Sequence, residues 1–309
     1  MTDFDLQSHS TYSDGALGPA EVVSRAKAAG ISLLALTDHD TVDGIQEATE
    51  AAAIEGIRLS PATELSAVDG EHEDLHVLGY ELDPRSRDLR TALQDFRSDR
   101  ERRVREMVEC LRDAGLALDD AKLVERSEQD RPLGRPHLAD AILAEPANAT
   151  RLRDEGIHDR GGLFARYLVP GTPTYVARAR PTVADAIAVI HAAGGVAVWA
   201  HPFWDVHDEA DVLAVIDRFR GDGLDGVEVF YATHSEAQTR AVHAHCAAAG
   251  LLMTGSTDFH GPDHDTFGVF GGFETYGLAP ELGPIGAERV SEWAMRPVWS
   301  QTKPGGGRI

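Results

Sequence analysis

The chain has 309 residues, with 29 Lys and Arg against 51 Asp and Glu, a formal net charge of −22. Hydrophobic residues at 42% and charged residues at 26% suit a folded protein long enough to bury a sizeable core. This charge excludes a general polyanion-binding surface, so nucleic acid can enter only where metals or arginines locally reverse the field.

Residues 1–5 are acidic and lack the apolar core of a signal peptide. Residues 4–6 are a short strand candidate. Pro19 opens a helix over 19–29 with Val22, Val23 and Ala26 on one side and Gly30 as its stop. Residues 31–37 read as a buried strand, the Ala-rich stretch 42–54 as a helix closed by Gly56, and 57–65 as a third strand. Residues 72–80 are a further strand or one arm of a hairpin. The rhythm then breaks. Leu89, Leu93, Phe96, Val104, Met107, Val108 and Leu111 follow helical spacing up to Gly115, and short helical pieces with many Pro and Gly residues follow.

The alternation resumes with a helix over 182–193, a strand over 196–200, a helix over 208–220 and a strand over 226–230. A helix over 235–249 and a strand over 251–255 complete it, and the tail from 284 is weakly patterned. Repeated strand–helix units predict an α/β fold with a parallel sheet, and six or seven strands favour barrel closure. The expected organisation is a discontinuous barrel from 1–84 and 181–283, a helical insertion over 85–180 that covers the active site, and a tail over 284–309. Cys110 and Cys246 sit in helical segments and give neither a disulfide framework nor a thiolate cluster. The most apolar run, 184–203, is broken by Asp185, His191 and Gly194-Gly195. The expected setting is the cytoplasm, with no membrane contact.

Chemistry-bearing residues gather where strands end. Gln7, His9 and Asp14 follow the first strand; Asp38, His39 and Asp40 follow the second. Glu64 closes the third, and His76 lies on the fourth. His201 follows the fifth, and Asp258 and His260 follow the last. In a (β/α) barrel such loops open on one face, where active sites lie. Imidazole and carboxylate without thiolate suit Mn²⁺, Mg²⁺, Zn²⁺ or Fe²⁺. A bridging carboxylate among them is what a site of two or three cations needs for phosphoryl chemistry.

The segments Asp5-Leu6-Gln7-Ser8-His9 with Ser13-Asp14-Gly15, Thr37-Asp38-His39-Asp40, Glu64-Leu65-Ser66, His76-Val77-Leu78-Gly79-Tyr80, Ala200-His201-Pro202 and Thr257-Asp258-Phe259-His260-Gly261 stand in the order of the PHP (polymerase and histidinol phosphatase) family motifs. The chain resembles that family over about residues 3–275. Its layout is similar to the branch acting on nucleoside 3′,5′-bisphosphates and on short RNA 5′ ends. The resemblance implies a distorted (β/α)₇ TIM-like barrel with a helical insertion and a trinuclear metal site. Gln7, His9, Glu64 and Asp258 would hold one cation. Glu64, His76 and His201 would hold a second, and Asp14, His39 and His260 a third. Glu64, Asp258 and His201 are the residues expected to carry the reaction.

The implied reaction is attack on phosphorus by a hydroxide between cations, with two or three divalent ions, Mn²⁺ favoured. Arg135 and His137 in the insertion are candidates to grip a second phosphate. The expected partner is a nucleotide or short oligonucleotide, with no surface for duplex nucleic acid. The family pattern has His-x-His where this chain has Gln7-Ser8-His9. Gln7 could ligate through oxygen, hold a metal-bound water, or mark a weakened first site. Two other readings stay open: hydrolysis of a small phosphomonoester of the histidinol-phosphate type, and a catalytically silent metal- or nucleotide-binding module.

Other residues read more plainly. His72 stands in an acidic loop, and His234, His243 and His245 suit the surface or partial burial of an amphipathic helix. The run from Arg97 to Arg105 is interleaved with acids and reads as a solvated helix with i,i+4 pairs.

Overall fold

The structure is a computed structural model that describes residues 3–70, 72–121, 123–124, 133–178 and 181–287. The expected tail therefore lies, from residue 288 onward, outside the described residues. Seven strands form one sheet in chain order: β1 (Phe4–Asp5), β2 (Leu33–Leu36), β3 (Arg58–Asp69), β4 (His72–Tyr80), β5 (Val196–Trp199), β6 (Gly226–Tyr231) and β7 (Leu252–Ser256). The ends of the sheet approach each other. Leu6 N–H donates to Gly255 O at 3.2 Å, and Ser8 bridges to Phe259 in parallel sense. The buried Asp5 carboxylate ties the same seam by accepting from Thr257 N–H and Gly271 N–H. The result is a nearly closed seven-stranded barrel.

The barrel is not purely parallel. β4 runs antiparallel to both β3 and β5, while the remaining neighbours are parallel. This is the hairpin alternative for residues 72–80, and it is what distorts the (β/α)₇ plan. The short Gly70 turn between β3 and β4 leaves no room for a crossover helix, so the chain must reverse.

Helices α1 (Pro19–Ala28), α2 (Ile45–Glu55), α7 (Val183–Ala192), α8 (Glu209–Gly221) and α9 (Glu236–Ala249) cover the barrel. Their ends follow local rules. Pro19 stands in the first turn of α1, Gly56 closes α2 at φ 67°, and the Ser235 hydroxyl caps α9. Leu6, Leu34, Leu36, Leu65, Leu78 and Trp199 are fully buried in one continuous core.

Between β4 and α7 lie α3 (Arg87–Asp113), α4 (Arg135–Leu143), α5 (Ala149–Asp154) and α6 (Arg160–Leu163), which runs into a π turn (Phe164–Leu168). These pieces build a second apolar cluster around Met107, Leu111, Leu138, Ile142 and Leu163. Among the described residues no helix is long and apolar enough to cross a membrane.

His234 departs from the surface reading. It is buried at 6% exposure between Phe203 and Tyr231, with Nδ1 3.1 Å from Val229 O. Burial pushes its pKa from 6.5 down to about 4. A folded-state value below the unfolded one means that the unfolded chain binds the proton first. His234 therefore adds stability above pH 6.5 that is lost progressively as pH falls toward 4, on the order of 3 kcal/mol in all. Chemical denaturation of the metal-free protein should show the stability difference between wild type and His234→Leu shifting in favour of the variant between pH 7 and pH 4.5. A pH-independent difference would exclude a neutral buried imidazole.

Candidate metal centre

All the strand-end residues meet at one mouth of the barrel. The reversal of β4 matters here, because it brings the early part of that strand to the C-terminal end of β3. Ser66 is paired with His76, and His76 O accepts from Ala200 N–H, just before His201. The parallel bridge between His39 and Glu64 links the β2 and β3 ends in the same way.

Glu64 is the centre of the cluster. Its Oε1 lies 2.6 Å from His76 Nδ1 and 3.2 Å from His201 Nε2. Its Oε2 lies 3.1 Å from His9 Nε2 and accepts from the Gln7 amide at 2.9 Å. His9 Nε2 is also 3.0 Å from Asp258 Oδ1. On the other side, Asp14 stands 3.6 to 3.8 Å from His9, His39 and His260. Three sets place their nitrogen and oxygen atoms within 4.8 Å of one another: His9, Glu64 and Asp258; His39, Glu64 and His76; and His9, Asp14, His39 and His260. His201 touches the same Glu64 oxygen as His76.

This donor set fits divalent cations. Buried polar atoms ordinarily find hydrogen-bond partners. Here His9 Nε2, His39 Nδ1, Asp14 Oδ1 and Asp258 Oδ1 are buried and make no hydrogen bond, and all four face the cluster. Burial opposes ionisation of Glu64, yet the imidazoles of His39, His76 and His201 outweigh it and hold the carboxyl well below its usual range. Burial likewise opposes ionisation of Asp258, and His260 and His9 overcome it. Burial drives His39 down to about 3, which leaves that ring neutral with a lone pair to offer. Ionised carboxylate and neutral imidazole are the forms that bind metal.

The backbone is strained at this mouth. Asp40, His201 and Asp258 have φ of 52°, 29° and 61°, a left-handed region that non-glycine residues seldom occupy. Each is pinned. Asp40 N–H donates to Glu64 O, His201 N–H to the Glu228 carboxyl, and Tyr231 OH to Asp258 Oδ2. Gly15 allows the first-motif loop to fold back, since a Cβ there would lie 2.2 Å from His9 O.

Glu228, on β6, is a site residue that the sequence reading missed. Burial raises its pKa to about 8. It contacts Ser256 Oγ at 2.5 Å and the His201 backbone at 2.9 Å. The available signal was a lone acid in the otherwise apolar run Gly226-Val227-Glu228-Val229-Phe230.

A cavity of about 1050 Å³ opens above the cluster, large enough for a nucleotide-sized ligand. Although the chain is strongly acidic, Arg100, Arg103, Arg135, Arg160 and Arg178 line it. The expectation of a wholly solvated arginine run is corrected here by helical periodicity. Arg102 and Arg105 face outward and pair with Asp99, Glu106 and Glu101. Arg100 instead pairs with buried Asp40 at 3.0 Å and donates to Ser66 Oγ, and Arg103 is 4% exposed and donates to Val176 O. Arg135 donates to Leu168 O and lies over Phe164, while His137 Nδ1 accepts from Gly134 N–H. Both therefore help to build the insertion as well as line the cavity. Trp204, 53% exposed, and His264 reach it from the barrel side.

The Arg100–Asp40 pair gives a stability prediction. Removing one partner of a buried pair leaves an uncompensated charge, at a cost of roughly 3–5 kcal/mol. Arg100→Met should lower the denaturation midpoint strongly in the wild-type background and only weakly in Asp40→Asn. Additive effects in that double-mutant cycle would exclude the pairing.

Comparison with known proteins agrees with this geometry. The PHP domain profile matches residues 5–168. A 3′,5′-nucleoside bisphosphate phosphatase of Chromobacterium violaceum is 33% identical over 301 residues, 97% of this chain and 96% of that protein. A 5′-3′ exoribonuclease of Haemophilus influenzae is 34% identical over 262 residues, 84% of this chain and 90% of its own. A crystal structure of a Chromobacterium violaceum amidohydrolase with bound sulfate and no metal superposes with a TM-score of 0.76 at 33% identity, covering 86% of this chain and 90% of that one. A cation-fitting carboxylate–imidazole cluster at the mouth of this barrel, in a chain with these relatives, makes the protein a metal-dependent phosphoesterase, a hydrolase that belongs to the PHP family.

Proposed function

We propose that the protein releases phosphate from a nucleotide carrying two phosphates, a nucleoside 3′,5′-bisphosphate. The observation that carries this reading is the presence in one cavity of two anion-seeking regions, the Glu64-centred cluster and the arginines lining the rest of its wall. A substrate with one phosphate uses the first region and leaves the second unfilled. A bisphosphate uses both.

Divalent cations in the cluster, Mn²⁺ foremost, would supply Lewis-acid charge and activated water. His9, Asp14, Glu64, His76, His201, Asp258, His39 and His260 would hold them, with Gln7 beside them. The chain's own groups do the rest. Glu64 and Asp258 offer the negative charge that would hold cations in place, so that the reacting phosphate meets positive charge beside the imidazoles. Arg135, with His137 beside it, meets the second phosphate through paired N–H donors. Trp204 gives the base a flat apolar face at the cavity lip. The insertion over 85–180 covers the site and limits access of bulk water.

A second reading, stepwise release of nucleotides from short 5′-phosphorylated RNA, is favoured by the exoribonuclease relative and the exposed Trp204. Phosphate and nucleotide release should be followed over a panel of nucleoside bisphosphates, monophosphates, short 5′-phosphorylated RNA and histidinol phosphate with Mn²⁺. Bisphosphate is expected to give the highest kcat/KM; preference for histidinol phosphate, or no turnover at all, would defeat the proposal. Glu64→Ala should abolish turnover and lower bound manganese. Arg135→Ala should raise KM for the bisphosphate on the order of tenfold and leave a monophosphate within about twofold, as expected when one charge-assisted phosphate contact is lost. Equal effects on both substrates would remove Arg135 from the second-phosphate site.

A further inference from the structure

Gln7 stands at the strand end beside Glu64, at the position where the family pattern has a histidine. Its side chain is fully buried, and it touches two polar groups. The amide nitrogen donates to Glu64 Oε2 at 2.9 Å, and the Ser256 hydroxyl lies 3.4 Å from the amide oxygen. A carboxylate oxygen only accepts, so the amide end facing Glu64 is its NH₂. The amide oxygen is then turned to Ser256, whose hydroxyl makes its short bond to Glu228 Oε1 at 2.5 Å. Reversing the amide would set two acceptor oxygens against each other in a buried site, which only an intervening cation could relieve.

His9 is fixed differently. Ser13 gives its one proton to Asp38 Oδ1 at 2.6 Å, so its oxygen is left to accept from His9 Nδ1, 3.3 Å away. That puts a proton on Nδ1, so Nε2, 3.1 Å from Glu64 Oε2 and 3.0 Å from Asp258 Oδ1, is the nitrogen that can give up its proton to a cation. The two polar residues of the first motif thus differ toward the cluster: His9 Nε2 can exchange its proton for a cation, whereas the Gln7 NH₂ has no lone pair to offer.

We infer that Gln7 is a positioning residue and not a ligand. It holds one oxygen of the shared carboxylate by a hydrogen bond. A cation held by His9, Glu64 and Asp258 would then have three protein ligands, with room for water or substrate. Structural sites close all their positions, whereas catalytic ones keep one free. An imidazole at residue 7 would add a ligand and tighten the metal. This inference rests on the metal-dependent reading above.

The test compares wild type with Gln7→Leu and Gln7→His by manganese content after gel filtration, by calorimetric titration of the metal-free protein with Mn²⁺, and by kcat and KM. Gln7→Leu should keep the wild-type number of bound ions, with affinity and kcat lowered on the order of 10–100-fold, as for other groups that orient a metal ligand, and KM within about twofold. Gln7→His should bind Mn²⁺ at least tenfold more tightly than wild type. Loss of a whole equivalent in Gln7→Leu, or no gain in affinity in Gln7→His, would overturn the inference and leave the metal centre standing. Wild type that binds no manganese would overturn the metal centre itself. Should Gln7→Leu fail to fold, the Gln7→His comparison decides alone.

Discussion

A carboxylate placed in the dry mouth of a barrel must be compensated, and Glu64 sets the terms for everything around it. Each of its oxygens is met by two side chains, Gln7 and His9 on one, His76 and His201 on the other. These arrive from three different strands, β1, β4 and β5. A single buried charge therefore couples distant parts of the chain, because leaving any lone pair unmet in low dielectric costs more than arranging the loops that meet it. The same demand explains the clustering of positive φ values. Asp40, His201 and Asp258 each bear strain of about 1–3 kcal/mol that a relaxed loop would shed, and each is held by a hydrogen bond from or to the barrel.

The insertion is joined to this centre through charge as well as through apolar packing. Arg90 and Arg97 both pair with Asp43, and Arg100 pairs with Asp40, so three positions along α3 grip the loop that follows His39. Arg178 adds a bond to Ser66 O, two residues beyond Glu64. The cover and the reacting centre thus share a border of fixed arginines. That border places arginines beside the carboxylates that line the cavity, inside a protein whose overall charge is −22.

Much of the barrel could be read in advance. The short apolar strands and the helices with Pro near their starts and Gly at their ends obey local rules, and the observed strands fall within a few residues of the expected ones. The strand-end residues were recognisable because a barrel of this kind collects its loops at one face. The direction of β4 was open in the sequence, since an alternating strand looks the same in either sense and only pairing with β3 and β5 fixes it. Glu228 escaped notice because its role arises from neighbours on β5 and β7 and from the loop at His201. His234 escaped because burial of one histidine at a helix entrance leaves no periodic mark.

From the amino-acid order alone came the elements, the family and the set of side chains able to hold divalent cations, for these depend on local periodicity and on motif order. Which oxygen of Glu64 each partner takes, which arginines of α3 turn inward, and which end of the Gln7 amide faces the cluster were decided only by the folded chain. Those choices depend on distances between residues up to some 250 positions apart, such as Gln7 and Ser256, and on the refusal of buried polar atoms to go unpaired.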